Sequence, residues 1–296
     1  VSLFGGGTDR PSYYEKYGST IISFAITRYM YLVWNPRPTG GCRLSYGEIE
    51  ELETLKNAKH TLVRAAAEKY GIEEPCTLTI ISDVPKGTGL GSSSALTVCL
   101  CELVGQDTGA GLEFNALELE QSVSPNVGLQ DFLPAVFGGF RVYQFGPKKY
   151  KIGWQLLDEQ VDLINTHGLL LYTGIDRAAG TVLENWKDVD ILHRIRKWAE
   201  GQAHLVHEWT PDSLGRALCE TWKIKSSIPG VGSWKLFQHY GIAKDAGALG
   251  GKLCGAGGGG CWFFLVPPSE RQAVIDATGL REIPFQVAEK GVEKLL

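Results

Sequence analysis

The seven cysteines are odd in number, and no two stand at C-x-x-C spacing, so the pattern suggests neither a disulfide framework nor a zinc site. Cys99 and Cys101 fall inside an apolar stretch, and the expected compartment is a reducing cytoplasm. Long apolar runs are lacking too: nothing approaches the roughly 20 residues that cross a bilayer. No basic-then-apolar leader reads at the start. Positive charge is not in excess, since Lys plus Arg is 29 and Asp plus Glu is 33, a difference of −4. With no basic run carrying interleaved aromatics, a nucleic-acid surface is excluded. Internal repeats and low-complexity tracts are missing as well.

The commonest phosphate loop, G-x-x-x-x-G-K-[ST], is also absent: Gly251-Lys252 is followed by Leu253, and Lys86 precedes its glycine. A G-x-G-x-x-G match occurs at Gly255, Gly257 and Gly260, but it leads into the strand-like "CWFFLV" and opens no helix. Dinucleotide-binding geometry therefore fails there. What remains is an ordinary globular composition, 44% hydrophobic and 21% charged, in a chain of 296 residues that suits one large domain or two modest ones.

What is present is glycine in clusters. "GGGTD" (5–9), "PKGTGLGSSSAL" (85–96) and "GAGGGG" (255–260) concentrate it at three places. Glycine inside an element costs about 0.5–1 kcal/mol relative to alanine, so such clustering implies a backbone that must come close to something. The middle cluster lies between "TLTIISDV", β-branched and strand-like, and "ALTVCLCELV", apolar almost all round and read as a buried helix. Strand, glycine turn and helix in that order aim unpaired N–H groups and a positive helix end into the turn. The bland alternative is a capped helix behind a tight turn, with Ser92 or Ser93 as N-cap worth roughly 1 kcal/mol.

Along the chain, 19–35 reads as two strands with Thr27 and Arg28 between them, 60–71 as a helix capped by Gly71, and 111–124 as a second helix. Residues 138–146 alternate like a half-buried strand, and the lysines around 148–151 mark a boundary. A strand over 165–173 and helices from about 178 to 248 follow. Blocks of helices and antiparallel strands predict an α+β fold of two domains, 1–150 and 151–296, with the working site in the cleft between them. The chain opens at Val1 with "VSLF" directly before "GGGTD", so part of that strand is expected to lie upstream, outside the sequence.

The three glycine motifs, in this order and spread over nearly the whole chain, resemble those of the GHMP small-molecule kinases, the galactokinase–homoserine kinase–mevalonate kinase–phosphomevalonate kinase superfamily. Within it, "GGGTD", "QDFLPAVFGGF" and "GGKLCGAGGGG" are similar to the D-glycero-D-manno-heptose 7-phosphate kinases, which phosphorylate the anomeric hydroxyl of a bacterial sugar phosphate. The resemblance implies ATP held by Pro85, Gly87, Gly89, Leu90, Gly91, Ser92, Ser93 and Ser94. It implies Mg2+ held by Ser93 and Glu120, with the choice among the three serines open. Asp131, apolar-flanked in "GLQDFLPAVFGG", matches the catalytic aspartate. Gly7, Thr8, Asp9 and Arg10 would meet the sugar, and Gly257 and Gly258 would let it approach. Arg10 and Arg177 are candidates for a distal phosphate, which favours the bidentate fork of arginine.

Each has a plainer alternative. Glu120 could share a solvated helix face with Glu113 and Glu118, Asp9 could make an Asx turn, and both arginines could be surface residues. Two departures bear on substrate choice: the heptose kinases read G-K-Q-D-Q where this chain has Gly128-Leu129-Gln130-Asp131-Phe132, and their opening strand includes an arginine that would precede Val1. His204 and His207 stand three apart without a third metal ligand nearby in sequence. The eight tryptophans are spread as core residues would be, with Trp34 a candidate to border the adenine. Rival functions are a kinase of an unphosphorylated sugar such as galactose or fucose, and a catalytically silent relative that senses ATP and sugar. A decarboxylase of isoprenoid diphosphates fits "GGGTD" poorly. The expected partner is a small-molecule sugar phosphate, with no nucleic acid and no membrane, and the oligomeric state stays open.

Overall fold

A computed structural model describes residues 1–105, 111–146, 150–151, 153–175, 182 and 185–295. Twelve strands form three four-stranded sheets among these residues. The first joins β1 (Ser2–Phe4), β2 (Ser19–Phe24), β7 (Phe140–Phe145) and β8 (Tyr150–Lys151), in that order. The second, in the order β3 (Met30–Pro36), β6 (Cys76–Ser82), β4 (Cys42–Ser45) and β5 (Ile49–Leu52), completes the first half. The third belongs to the second half and runs β10 (Gly250–Leu253), β11 (Cys261–Leu265), β9 (Gly168–Tyr172) and β12 (Arg281–Glu282). All pairs are antiparallel except β4 with β6, where Arg43 lies beside Thr77. With helices grouped between the strand blocks, this is the expected α+β architecture.

The helices of the first half are α1 (Pro11–Tyr17), α2 (Thr61–Tyr70), α3 (Ser92–Val104), α4 (Leu112–Gln121) and α5 (Phe132–Phe137). Those of the second half are α6 (Asp158–His167), α7 (Val189–Leu205), α8 (Pro211–Ser226), α9 (Trp234–Asp245) and α10 (Arg271–Thr278). Helix α2 ends as predicted: Gly71 adopts a left-handed φ of +66° and returns its N–H to Ala67 O. Helix α3 buries Leu96, Val98, Leu100 and Cys101, as its all-round apolar sequence requires. None of the described helices is long and apolar enough to cross a membrane.

Two expectations need correction. The strand placed over 165–173 begins only at Gly168, because 165–167 finish α6, whose acidic first turn at Asp158 and Glu159 suits a helix N-terminus. The two strands within 19–35, by contrast, form as read with Thr27 and Arg28 between them, and they enter different sheets. Helix α3 is not capped by serine: its N-cap is Gly91, with no side-chain capping bond, and Ser92 and Ser93 lie inside the first turn. The lysine-rich boundary falls largely on 147–149, and Arg177 on 176–181, both outside the described residues. All seven cysteines are free.

One core cluster unites the halves. Phe4, Ile22, Phe24 and Phe140 of the first pack with Leu170, Leu218, Phe263 and Leu265 of the second, all of them buried. The glycine loops meet above this shared core, so packing fixes their positions.

Candidate active site

The second and third glycine clusters touch through backbone. Cys261 donates its N–H to Thr88 O at 2.8 Å, and a methyl on Gly260 would stand 2.5 Å from that same oxygen. Strand β6 ends just before the loop and α3 starts at its end, so the loop wraps the helix N-terminus. Two hydroxyls there, Thr88 Oγ1 and Ser92 Oγ, are buried without a hydrogen-bond partner among the described residues. A buried hydroxyl left unpaired is costly, and two of them in a glycine loop at a helix N-terminus fit a loop that closes on an anionic ligand. With no serine spent on capping, the capped-turn alternative loses its support.

Glu120 comes from α4, which packs beside α3, and is 4% exposed, so it does not lie on a solvated face. Glu113 is buried as well, whereas Glu118 is exposed and pairs with Lys69 at 2.9 Å. Burial pushes the Glu120 carboxyl above its ordinary value, and hydrogen bonds from Ser93 and Ser94 oppose this. The Thr97 hydroxyl lies 3.4 Å from Glu120 Oε2 and 2.9 Å from Ser93 O. The structure thus brings Ser93 and Glu120 together as hard oxygen donors of the kind that holds magnesium.

Asp131 is the residue just before α5, yet its carboxylate makes no capping bond to that helix. It lies against the second glycine loop, because a methyl on Gly91 would approach Asp131 Cβ to 3.1 Å. Burial raises its pKa and the Asp9 carboxylate raises it further, while the ammonium groups of Lys252 and Lys225 lower it. Asp131 borders a cavity of about 550 Å³, along with Leu90, Gly91, Ala95 and Cys99.

Asp9 is 1% exposed and fixes the loop that carries Asp131. Gly7 N–H donates to its Oδ1 at 2.7 Å, and Gln130 N–H donates to its Oδ2 at 2.9 Å. A methyl on Gly128 would stand 2.1 Å from Oδ2, so glycine is required for this approach. No Asx turn forms, since the donors are Gly7 and Gln130 and the residue two on is Pro11; the two bonds instead link the "GGGTD" motif to the segment that carries Asp131. Asp9 and Arg10 line a smaller cavity of about 40 Å³, which draws Gly5, Gly6, Gly7 and Gln130 from one half and Trp186, Lys225, Lys252 and Gly255 from the other. The cleft between the halves is where the sequence placed it.

Some proposed contacts face elsewhere. The Thr8 hydroxyl is taken by Gly5 O at 2.7 Å and by Ser19 Oγ at 2.6 Å, so Thr8 shapes its loop from behind. Gly257 and Gly258 pack on Val231, which accepts the Gly258 N–H at 2.7 Å; Gly255 and Ala256 line the cavity in their place. Trp34 packs, partly buried, on the core of the first half. His204 ends α7 and His207 sits in a separate 3-10 turn, and no cluster of three or more metal-binding side chains occurs among the described residues. The sequence reading missed Trp186, Lys225 and Lys252; a lysine within a buried strand such as "GGKL" was the signal available.

Comparison with known proteins agrees with this geometry. The descriptions "GHMP kinases N terminal domain" and "GHMP kinases C terminal" match residues 56–139 and 238–279. The D-glycero-alpha-D-manno-heptose 7-phosphate kinase of Campylobacter jejuni is 29% identical, over 94% of this chain and 90% of that one. A mevalonate kinase of Thermococcus onnurineus is 27% identical, over 83% of this chain and 76% of its own. A solved D-glycero-D-manno-heptose 1-phosphate kinase from Bacteriodes thetaiotaomicron superposes with a TM-score of 0.77 at 21% identity, covering 98% and 94% of the two chains; at that identity it speaks for the fold alone. Both GHMP kinase domain models thus match this chain in order, its relatives over most of its length are small-molecule kinases, and it has the fold of the GHMP kinases.

Proposed function

We propose that the protein transfers the γ-phosphoryl group of ATP to the anomeric hydroxyl of a sugar phosphate, D-glycero-D-manno-heptose 7-phosphate being the favoured acceptor. The observation that carries this is the position of Asp131 against Gly91, which puts a carboxylate beside the phosphate loop. Phosphoryl transfer needs little from a protein beyond a phosphate cradle, charge neutralisation and an oriented nucleophile. Residues 85–94 supply the cradle. Ser93 and Glu120 would hold a magnesium ion, which when bound neutralises phosphate charge. Asp131 orients the sugar hydroxyl and accepts its proton as the new O–P bond forms and the bond to the ADP leaving oxygen breaks. Asp9 keeps the 128–131 segment in register. We place the ATP-binding unit at 1–150 and the C-terminal unit at 151–296.

Similarity to a heptose 7-phosphate kinase over most of both chains supports the acceptor. The joint presence of Ser93, Glu120 and Asp131 at one site favours an enzyme over a silent sensor, which need not keep all three. The test is ADP release across heptose 7-phosphate, unphosphorylated heptose, galactose, fucose and mevalonate, with Asp131→Asn as the control. Heptose 7-phosphate should be turned over fastest. Faster turnover of galactose, fucose or mevalonate would replace the acceptor and leave the kinase standing.

A further inference from the structure

Three cations meet in the small cavity between the halves. Arg10 enters from the first glycine loop, Lys225 from α8 and Lys252 from β10. Both lysines are buried, each 5% exposed. Their ammonium groups are held by backbone carbonyls: Lys225 Nζ donates to Leu253 O at 2.7 Å and to Gly255 O at 2.5 Å, and Lys252 Nζ donates to Ser2 O. Arg10 Nε donates to Gly7 O at 3.2 Å and one terminal nitrogen donates to Trp186 O, using two of its five N–H groups. Asp9 is the one carboxylate among the described lining residues, and both of its oxygens already accept backbone N–H groups.

Charges taken out of water are costly unless compensated. Three cations against one carboxylate leave this cavity positive, which suits an incoming anion. Its volume of about 40 Å³ holds roughly three waters, the scale of one phosphate group and too small for a whole sugar. The Trp186 ring forms one wall: a methyl on Gly7 would come within 2.3 Å of it, and its Nε1–H donates to Ala256 O at 3.1 Å. Lys225 Nζ lies 5.8 Å from the centre of that ring. Asp131 does not line this cavity, although its carboxylate lies near enough for Lys225 and Lys252 to lower its pKa.

We propose that Arg10, Lys225 and Lys252, walled by Trp186, form a subsite for a phosphate group that the acceptor already carries. This rests on the sugar-phosphate reading above and gives that phosphate its holders, two of them lysines from the second half.

The test combines steady-state kinetics with inhibition by inorganic phosphate. In the unaltered protein, phosphate should compete with heptose 7-phosphate and not with MgATP. Lys225→Met and Arg10→Gln should each raise KM for heptose 7-phosphate roughly 10- to 100-fold, the worth of a charge-assisted hydrogen bond. KM for unphosphorylated heptose and for MgATP should barely move, and Lys225→Arg should recover part of the loss. Equal rises for the phosphorylated and unphosphorylated sugars, or phosphate competing with MgATP alone, would overturn the subsite and leave the acceptor assignment intact. Turnover of plain sugars ahead of every sugar phosphate by the unaltered protein would overturn both. Phosphate competition is read on unaltered protein, so it decides the matter even if a variant fails to fold.

Discussion

Gly91 and Asp131 are in direct apposition: an alanine methyl at position 91 would lie 3.1 Å from Asp131 Cβ and 3.3 Å from its Cγ. Gly91 also has a φ of +78°, a conformation that an L side chain enters at a cost of about 1–2 kcal/mol. Loop and carboxylate are thus fitted to each other. Gly91→Ala should lower kcat by about 10²-fold, the scale of a misplaced catalytic group, while thermal unfolding shows only a modest loss. An alanine variant with full kcat would show that the apposition has no part in the chemistry.

Asp131→Asn should cut kcat by on the order of 10²–10⁴ and leave the affinity for ATP unchanged. Retained turnover would remove the proton-accepting role.

The same substitution should behave differently in stability. Burial raises the folded-state pKa of Asp131, so its contribution to stability is fully present below the unfolded carboxyl value and is lost as pH rises through the folded value. At neutral pH the unaltered protein bears the cost of a buried carboxylate and the Asn variant does not. Tm at pH 7 should therefore be higher for Asp131→Asn, and the gap should close as pH falls toward 4. The acid limb of kcat/KM should lie above the ordinary carboxylate range, and Lys252→Met should move it higher still. A lower Tm for the Asn variant at pH 7 would contradict this.

Ser93→Ala and Glu120→Gln should each raise the magnesium concentration needed for half activity, and weaken MgATP more than free ATP. Because Gly91 occupies the N-cap position, Ser93→Ala removes no capping bond, and a fall in Tm would report the lost hydrogen bond to the buried Glu120 carboxylate. Equal weakening of ATP with and without metal would assign both residues to packing.

Local pattern carried most of the architecture. The apolar run of α3 and the glycine at position 71 each specify an element through nearest neighbours, and both form as read. The site was legible where glycine had to allow a close approach, as at Gly91. It was not legible where a side chain acts across a long sequence separation. Lys225 and Trp186 reach the first glycine loop only because β-pairing and the shared core fold the two halves together. Thr8, Gly257 and Gly258 show the converse: they sit in motif positions, but their hydrogen bonds or packing turn them toward the protein. The missed helix α6 has a physical cause as well: Leu157 at its N-cap offers no capping side chain, so its start carries no such signal.

The measurement that bears most directly on the acceptor is a 31P NMR time course of the protein with MgATP and D-glycero-D-manno-heptose 7-phosphate. Phosphoryl transfer to the anomeric oxygen predicts loss of the ATP γ-phosphorus signal, growth of ADP, and one new phosphomonoester resonance coupled to the anomeric proton, with the original phosphate signal retained. Asp131→Asn should slow all three changes together. ADP appearing with inorganic phosphate and no resonance coupled to the anomeric proton would contradict it.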